Sequence, residues 1–141
     1  MPSSEKKVED ILLPGITVRI RPTGNSMRPL IHADRDTVCL VKADPEKLAA
    51  GDLVLYRRTN GMLILHRITF IKKGKVYLSG DNNFEIEGPL ALEKIIGIAT
   101  EITRAGKKIK TTDPLYRLYI LLWPGSRPLR QFLYKLRHRS S

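Results

Sequence analysis

The sequence predicts a mainly β protein, a coiled antiparallel sheet followed by two short C-terminal helices. Short runs rich in β-branched residues alternate with turn residues about every 8–12 positions, which is typical of antiparallel sheets. No run of apolar residues at helical spacing occurs before residue 113, and such runs occur after it. The 141 residues therefore divide into a flexible N-terminus (1–10), a β-rich domain (11–112) and a basic helical segment (113–141).

The predicted strands lie between turn signals. The clearest of these is Thr59-Asn60-Gly61, because the Asn-Gly pair is favoured in tight hairpins and should join two antiparallel strands. A second hairpin turn is expected at Lys72-Lys73-Gly74-Lys75. The expected strands cover residues 16–21, 37–41, 53–58, 62–68, 76–79 and 95–103.

Two short helices are predicted at the C-terminus. Asp113 and Pro114 suit the cap and the first position of the first helix. Pro124-Gly125 should end this helix. In the second helix four apolar residues recur at i, i+3, i+4 and i+7, and basic residues occupy the other face. The apolar residues are Leu129, Phe132, Leu133 and Leu136, and the basic ones are Arg127, Arg130, Lys135, Arg137 and Arg139.

The positive charge of the chain is concentrated in its last 38 residues, which include the end of the β domain and the helical segment. Residues 104–141 hold ten Lys or Arg and one acidic residue, Asp113, whereas the first 103 residues contribute only +2 to the net charge of +11. Two interpretations remain open for residues 114–139. The helices either lie in the interface of an anionic membrane or pack on the β domain as its cover.

Several other classes of protein are disfavoured. No apolar run approaches the ~18 residues of a transmembrane helix, and Met1 to Lys7 lack the apolar core of a signal peptide, so a cytoplasmic protein is expected. Cys39 is the single cysteine and is predicted to be a buried, inert thiol on a strand. The three histidines, His32, His66 and His138, are too scattered for a metal site, so no metal or cofactor is predicted.

One polar turn presents a candidate nucleophile. Gly24 and Asn25 tolerate positive φ and Pro29 restricts the backbone after Ser26, so the turn shapes the chain around that serine from both sides. Ser26 is either an ordinary turn serine or a nucleophile that needs a nearby base. His66, in the apolar strand Leu63-Ile64-Leu65-His66, is either a structural histidine or that base.

Four blocks of the sequence resemble the type I signal peptidase superfamily, which includes the LexA-like repressor autoproteases. The similarity is closest to the archaeal and endoplasmic-reticulum branch of signal peptidases. The blocks are Ser26-Met27-Arg28-Pro29, Gly51-Asp52-Leu53-Val54, His66-Arg67-Ile68 and Gly80-Asp81-Asn82-Asn83. Bacterial members carry lysine at the position of His66, so the resemblance implies a Ser-His enzyme with the signal-peptidase/LexA catalytic fold.

The resemblance implies a role for each matched residue. Ser26 would attack the scissile carbonyl, His66 would act as general base, and Asp81 would orient the His66 ring. Another family aspartate falls near Glu85 or Glu87, which leaves these two as alternatives to Asp81. The Asp81 turn suits an inward-pointing carboxylate, whereas Glu87 precedes Gly88-Pro89 and is expected on a looser loop. Backbone N–H groups near Ser26, helped by Asn25, would hold the oxyanion.

The implied activity is that of a serine endopeptidase that cleaves an extended leader or propeptide segment and needs no cofactor. Members of the family usually have an N-terminal transmembrane anchor, which this sequence lacks and which the basic helices could replace. The alternative is an inactive binding protein of the same fold whose basic tail contacts a membrane or nucleic acid. Nucleic acid is disfavoured as a partner because the sequence contains no helix-turn-helix or RNA-binding motif.

Overall fold

A computed structural model describes residues 7–137 of the chain. His138 and Arg139, named in the sequence analysis, lie outside these residues, as does most of the predicted N-terminal segment. The described part contains three α-helices and eight strands. Their bounds are α1 Val8–Ile11, β1 Val18–Ile20, β2 Thr37–Lys42, β3 Leu53–Arg57, β4 Leu63–Lys72, β5 Lys75–Ser79, β6 Glu87–Ala91, β7 Ile95–Arg104, β8 Lys107–Lys110, α2 Pro114–Leu122 and α3 Arg127–Arg137.

The strands form one open antiparallel sheet in the order β1-β2-β7-β3-β4-β5-β6, with β8 paired to β7. This confirms the coarse prediction of a mainly antiparallel β fold with two C-terminal helices. The predicted hairpins join β3 to β4 and β4 to β5. Cys39 lies buried in β2, as predicted.

Two strands were not predicted. β6 contains Gly88 and Pro89, residues that disfavour strands, yet it pairs with β5 at the edge of the sheet, where proline is tolerated. The expectation that Glu87 lies on a loose loop is therefore wrong, because Glu87 opens β6 opposite Leu78. β8 carries three lysines and follows β7 through Ala105-Gly106, where both residues have positive φ.

Apolar side chains cover both faces of the sheet. One cluster includes Met27, Leu55, Leu65 and Tyr116, so it joins the Ser26 turn to α2. The other includes Val54, Tyr56, Ile68 and Leu78. Because side chains alternate between the two faces of a strand, β3 and β4 contribute to both clusters.

The helices are short. The longest, α3, has 11 residues, and no helix within 7–137 is long and apolar enough to cross a bilayer. Asp113 and Pro114 occupy the cap and first position of α2, as predicted.

Candidate active site

Ser26 lies on an irregular turn between β1 and β2. Gly24 adopts a φ of +77°, which glycine reaches without strain. Arg28 N donates to Asn25 O at 3.2 Å and Ile31 N to Met27 O at 3.0 Å, so the chain turns tightly around the serine. Met27 and Ile31 are buried, and they anchor a turn whose serine is half-buried.

The turn at residues 80–83 supports Ser26 from behind. Asn82 N donates to Ser26 O at 2.8 Å, and the Asn82 side-chain amide donates to Asn25 O at 3.1 Å. A Cβ atom on Gly80 would lie 2.4 Å from Ser26 O and 3.0 Å from Ser26 Cβ. Glycine at position 80 is therefore what lets the two turns meet.

The structure brings His66 to Ser26. His66 is in β4 and is 4% exposed, and its Nε2 lies 3.3 Å from Ser26 Oγ. That separation is at the long end for a hydrogen bond, as is common for a nucleophile and its base without substrate. A neutral imidazole in this position can accept the serine proton on Nε2.

The other ring nitrogen of His66 faces a tyrosine and a glutamate. Nδ1 lies 3.3 Å from the Tyr56 hydroxyl and 3.8 Å from Glu87 Oε1. Val54 is opposite His66 in the β3–β4 ladder, so Tyr56, two residues further along β3, lies on the same face of the sheet. Burial and the neighbouring Glu87 carboxylate raise the pKa of the Tyr56 hydroxyl, and Glu87 also forms an ion pair with Arg58.

These neighbours set the charge of His66. Burial lowers the pKa of His66 to about 4 and outweighs the opposing effect of the Glu87 carboxylate, so the ring is neutral at physiological pH. Burial by itself raises the pKa of Glu87, but hydrogen bonds from Arg58 and Tyr56 outweigh it and keep this carboxylate ionised. Nδ1 of His66 therefore faces a polar group backed by a negative charge.

Asp81 does not reach the His66 ring, contrary to the expectation that it orients the imidazole. Its carboxylate oxygens accept from Arg67 Nε at 2.8 Å and Arg67 Nη2 at 2.9 Å, and Oδ2 also accepts from the Tyr119 hydroxyl at 2.6 Å. The physical reason is the strand, since the adjacent residues His66 and Arg67 point to opposite faces of the sheet. Asp81 lies on the Arg67 side.

The remaining candidates lie away from the ring nitrogens. Glu85 has an exposed side chain, and its backbone carbonyl accepts from Ser79 Oγ at 2.7 Å. Asn25 is exposed, and its carbonyl is taken by Arg28 and Asn82. Lys72, the nearest lysine of the β4–β5 hairpin, is six residues along β4 from His66, roughly 20 Å in an extended strand.

A groove of about 450 Å³ runs along Ser26 and His66. One wall consists of residues 20–24, which start at the last residue of β1. The other wall consists of residues 62–66, which are Met62 and the first four residues of β4. β4 pairs with β3 over Leu63–Arg67 and with β5 only from Arg67 onward, so in the described chain the second edge of residues 63–66 faces this groove. We call it the Ser26 groove.

The structure brings together Ser26 and His66, which the sequence analysis named as candidates, and places Tyr56 and Arg58, which it did not name as candidates, around the second ring nitrogen. The observed β3–β4 register puts Tyr56 on the His66 face, two positions from the partner of His66, but the Asn60-Gly61 turn signal does not fix that register.

Comparisons of the chain with models of protein families, with curated proteins and with solved structures find no match.

Proposed function

We propose that this protein is a serine endopeptidase in which Ser26 is the nucleophile and His66 the general base. The observation that carries the proposal is the 3.3 Å contact between Ser26 Oγ and His66 Nε2 at the floor of an open groove. Ser26 and His66 are 40 residues apart in the sequence and come from different elements, a turn and β4. The four sequence blocks that resemble type I signal peptidases support the same roles and the same finer fold.

In the proposed reaction, Ser26 Oγ attacks the scissile carbonyl carbon while its proton passes to His66 Nε2. The carbonyl π bond opens and leaves an oxyanion, which backbone N–H groups next to Ser26 would hold. His66 then gives the proton to the leaving amine as the C–N bond breaks, and an acyl-enzyme remains. Water attacks that ester with His66 again as base, which restores the Ser26 hydroxyl.

We assign the third role to Tyr56 and Glu87 rather than to Asp81. In the tautomer that can accept the serine proton, Nδ1 carries a hydrogen and donates to the Tyr56 hydroxyl, 3.3 Å away. Tyr56 would in turn donate to the neighbouring Glu87 carboxylate, so the negative charge would stabilise the imidazolium through one intervening hydroxyl. Glu87 offsets part of the burial that makes protonation of this ring costly.

The proposed substrate is a peptide in extended form, such as a leader or propeptide segment. The edge of residues 63–66 offers backbone groups for a strand-like ligand, and the opposite wall lies across the groove. The walls include Ile20, Leu63 and Leu65, which favours small or apolar side chains next to the cleaved bond.

Digestion of a peptide library tests the proposal. The wild-type protein should release new amino termini, Ser26→Ala should release none, and Ser126→Ala should match the wild type because Ser126 Oγ donates to Trp123 O and not to His66. Cleavage that persists in Ser26→Ala at the wild-type rate would overturn the assignment of the nucleophile.

A further inference from the structure

The C-terminal helix α3 presents its apolar stripe to solvent. Leu129, Phe132, Leu133 and Leu136 are between 46% and 58% exposed, whereas Arg127 on the opposite side is buried. An amphipathic helix of a soluble domain usually turns its apolar stripe to the core and its charges to water. α3 has the reverse orientation.

Specific contacts hold α3 in this orientation. The Arg127 guanidinium donates to the carbonyls of Asn83 at 3.4 Å and Gly80 at 3.5 Å. Arg130 lies 4.4 Å from the centre of the Trp123 ring and donates to Trp123 O at 3.1 Å. These two arginines fix the first turns of the polar side to the protein body, whereas Lys135 and Arg137 in the last turn are exposed. The stripe cannot turn inward without breaking these bonds.

Helix α2 adds a second row of exposed apolar residues. Its inner side is Tyr116, Tyr119 and Ile120, which pack on the core. Its outer side carries four leucines, whose side chains are between 47% and 80% exposed, together with the exposed Arg117. The leucines are Leu115, Leu118, Leu121 and Leu122. We call these four leucines and the α3 stripe the outer apolar face.

Single exposed leucines are ordinary, but eight large apolar residues on two consecutive helices mark an interaction surface.

Cations flank the outer apolar face. Arg117 lies on α2, and Lys135 and Arg137 lie in the last turn of α3. Lys107 and Lys108 of β8 line, together with Leu115, a cavity of about 580 Å³ at the start of α2. Asp113 is the only acidic residue between positions 104 and 137, and its carboxylate accepts from Lys110 N at 2.9 Å. The surface therefore combines exposed apolar side chains with a positive rim.

We propose that the outer apolar face docks on an anionic membrane surface. Acyl chains would bury the leucines and Phe132, and acidic headgroups would pair with the cations. A second copy fits less well because a symmetric interface would bring two positive rims together. Nucleic acid would match the charge but leave the leucines in water.

The helices and the active site share one support. The turn at residues 80–83 bonds Ser26 on one side and Arg127 and Trp123 on the other, through Gly80 O, Asn83 O and Asp81 O. The two alternatives left open for residues 114–139 are therefore compatible, since the inner sides of the helices cover the β domain while the outer sides are free to bind. Docking would hold the Ser26 groove in a fixed orientation to the membrane.

Sedimentation of the full chain with lipid vesicles tests the proposal. The wild type should bind vesicles of phosphatidylcholine with phosphatidylserine and bind pure phosphatidylcholine weakly. Two variants, Phe132→Ser with Leu136→Ser and Lys135→Glu with Arg137→Glu, should each weaken binding to the mixed vesicles by at least about tenfold. The matched control, Leu13→Ser with Ile16→Ser, alters two side chains of similar exposure, 51% and 47%, outside the helices and should bind as the wild type does.

Two results would overturn the proposal. One is equal binding by the control and both test variants, each checked for unchanged thermal unfolding. The other is a wild-type dimer in light scattering that Phe132→Ser with Leu136→Ser converts to a monomer, which would make a second copy the occupant. Because Ser26→Ala leaves the helices untouched, it should bind vesicles normally, so vesicle binding and peptidase activity succeed or fail separately.

Discussion

The His66 ring is held at both of its nitrogens, and the two contacts have opposite chemical roles. In the proposed mechanism, Nε2 accepts a proton from Ser26 Oγ and Nδ1 donates one to the Tyr56 hydroxyl. A ring that pivoted would lose the alignment with the serine. Tyr56 is 2% exposed and cannot move away, so the rotamer of His66 is fixed by packing as well as by hydrogen bonds.

Glu87→Gln should lower kcat by about a hundredfold, or about 3 kcal/mol in the barrier, because the imidazolium would lose its nearest negative charge. Tyr56→Phe should also lower kcat, because it removes the hydroxyl between the ring and that charge. Glu85→Gln is the matched control, since its exposed side chain should leave kcat unchanged. Steady-state kinetics on variants with wild-type unfolding midpoints would measure all three. Equal kcat for Glu87→Gln and Glu85→Gln would remove Glu87 from the mechanism.

The pH dependence of kcat/KM reports the charge of His66. Only the neutral ring can accept the serine proton, so activity should fall as pH drops through the pKa of the ring, which burial lowers to about 4. Activity should thus be constant between pH 6 and 7, where an ordinary histidine of pKa 6.5 would already titrate. Glu87→Gln should move the acid limb still lower, because the carboxylate raises the pKa of His66. An acid limb near 6.5 in the wild type would contradict this environment.

Tyr56 shows why part of the site could not be predicted. A two-residue Asn60-Gly61 turn would place Thr59 opposite Met62 and His66 opposite Leu55, with Tyr56 on the other face from the ring. Arg58 N instead donates to Met62 O at 2.8 Å, so the loop holds three residues and His66 pairs with Val54. A shift of one residue decides which side chains share a face, and the turn motif alone does not set it.

At the scale of elements, the turn at residues 80–83 is a junction. Asp81 is fully buried and links β4 through Arg67 to α2 through Tyr119, and its carbonyl accepts from Trp123 Nε1 at 2.9 Å. Burial by itself lowers the pKa of Arg67, but the Asp81 carboxylate outweighs it and the net effect raises that pKa. Arg67 is therefore charged in the interior, beside the Asp81 carboxylate. Asp81 thus holds β4, α2 and Trp123 in fixed positions relative to one another.

Asp81→Asn should destabilise the fold by about 3–5 kcal/mol, because it leaves Arg67 charged and buried without its partner. Glu9→Gln is the matched control, since it removes one carboxylate from the more exposed Arg57–Glu9 pair and should cost under about 1 kcal/mol. Chemical denaturation would give both free energies. A variant Asp81→Asn that unfolds like the wild type yet loses turnover would return the acid role to this residue.

The elements that the sequence predicted best have regular local patterns. β2, β3, β4, β5 and β7 are β-branched or apolar runs between turns, and α2 and α3 have helical spacing and, for α2, a proline start. β6 and β8 lacked such patterns because Gly88-Pro89 and Lys107-Lys108 disfavour a strand locally. Pairing with β5 and β7 outweighs that preference.

At the scale of the whole molecule, chemistry and charge lie in different parts of the chain. The first 103 residues carry Ser26, His66 and the groove with a net charge of only +2, whereas residues 104–141, which include β8 and the helices, carry the remaining +9 and the outer apolar face. The apolar stripe of α3 was visible in the sequence, but its outward direction was not. That direction depends on where Arg127 and Arg130 find acceptors, which only the folded turn at residues 80–83 and Trp123 provide.

The central claim, that Ser26 is a nucleophile activated by His66, is tested most directly by labelling the full chain with a fluorophosphonate and locating the adduct by mass spectrometry. We predict one adduct, on Ser26, formed at least about a hundredfold more slowly in His66→Ala, because the hydroxyl is a weak nucleophile without its base. Ser126→Ala should label like the wild type. Labelling of a different serine, or of Ser26 at the same rate in His66→Ala, would contradict the claim.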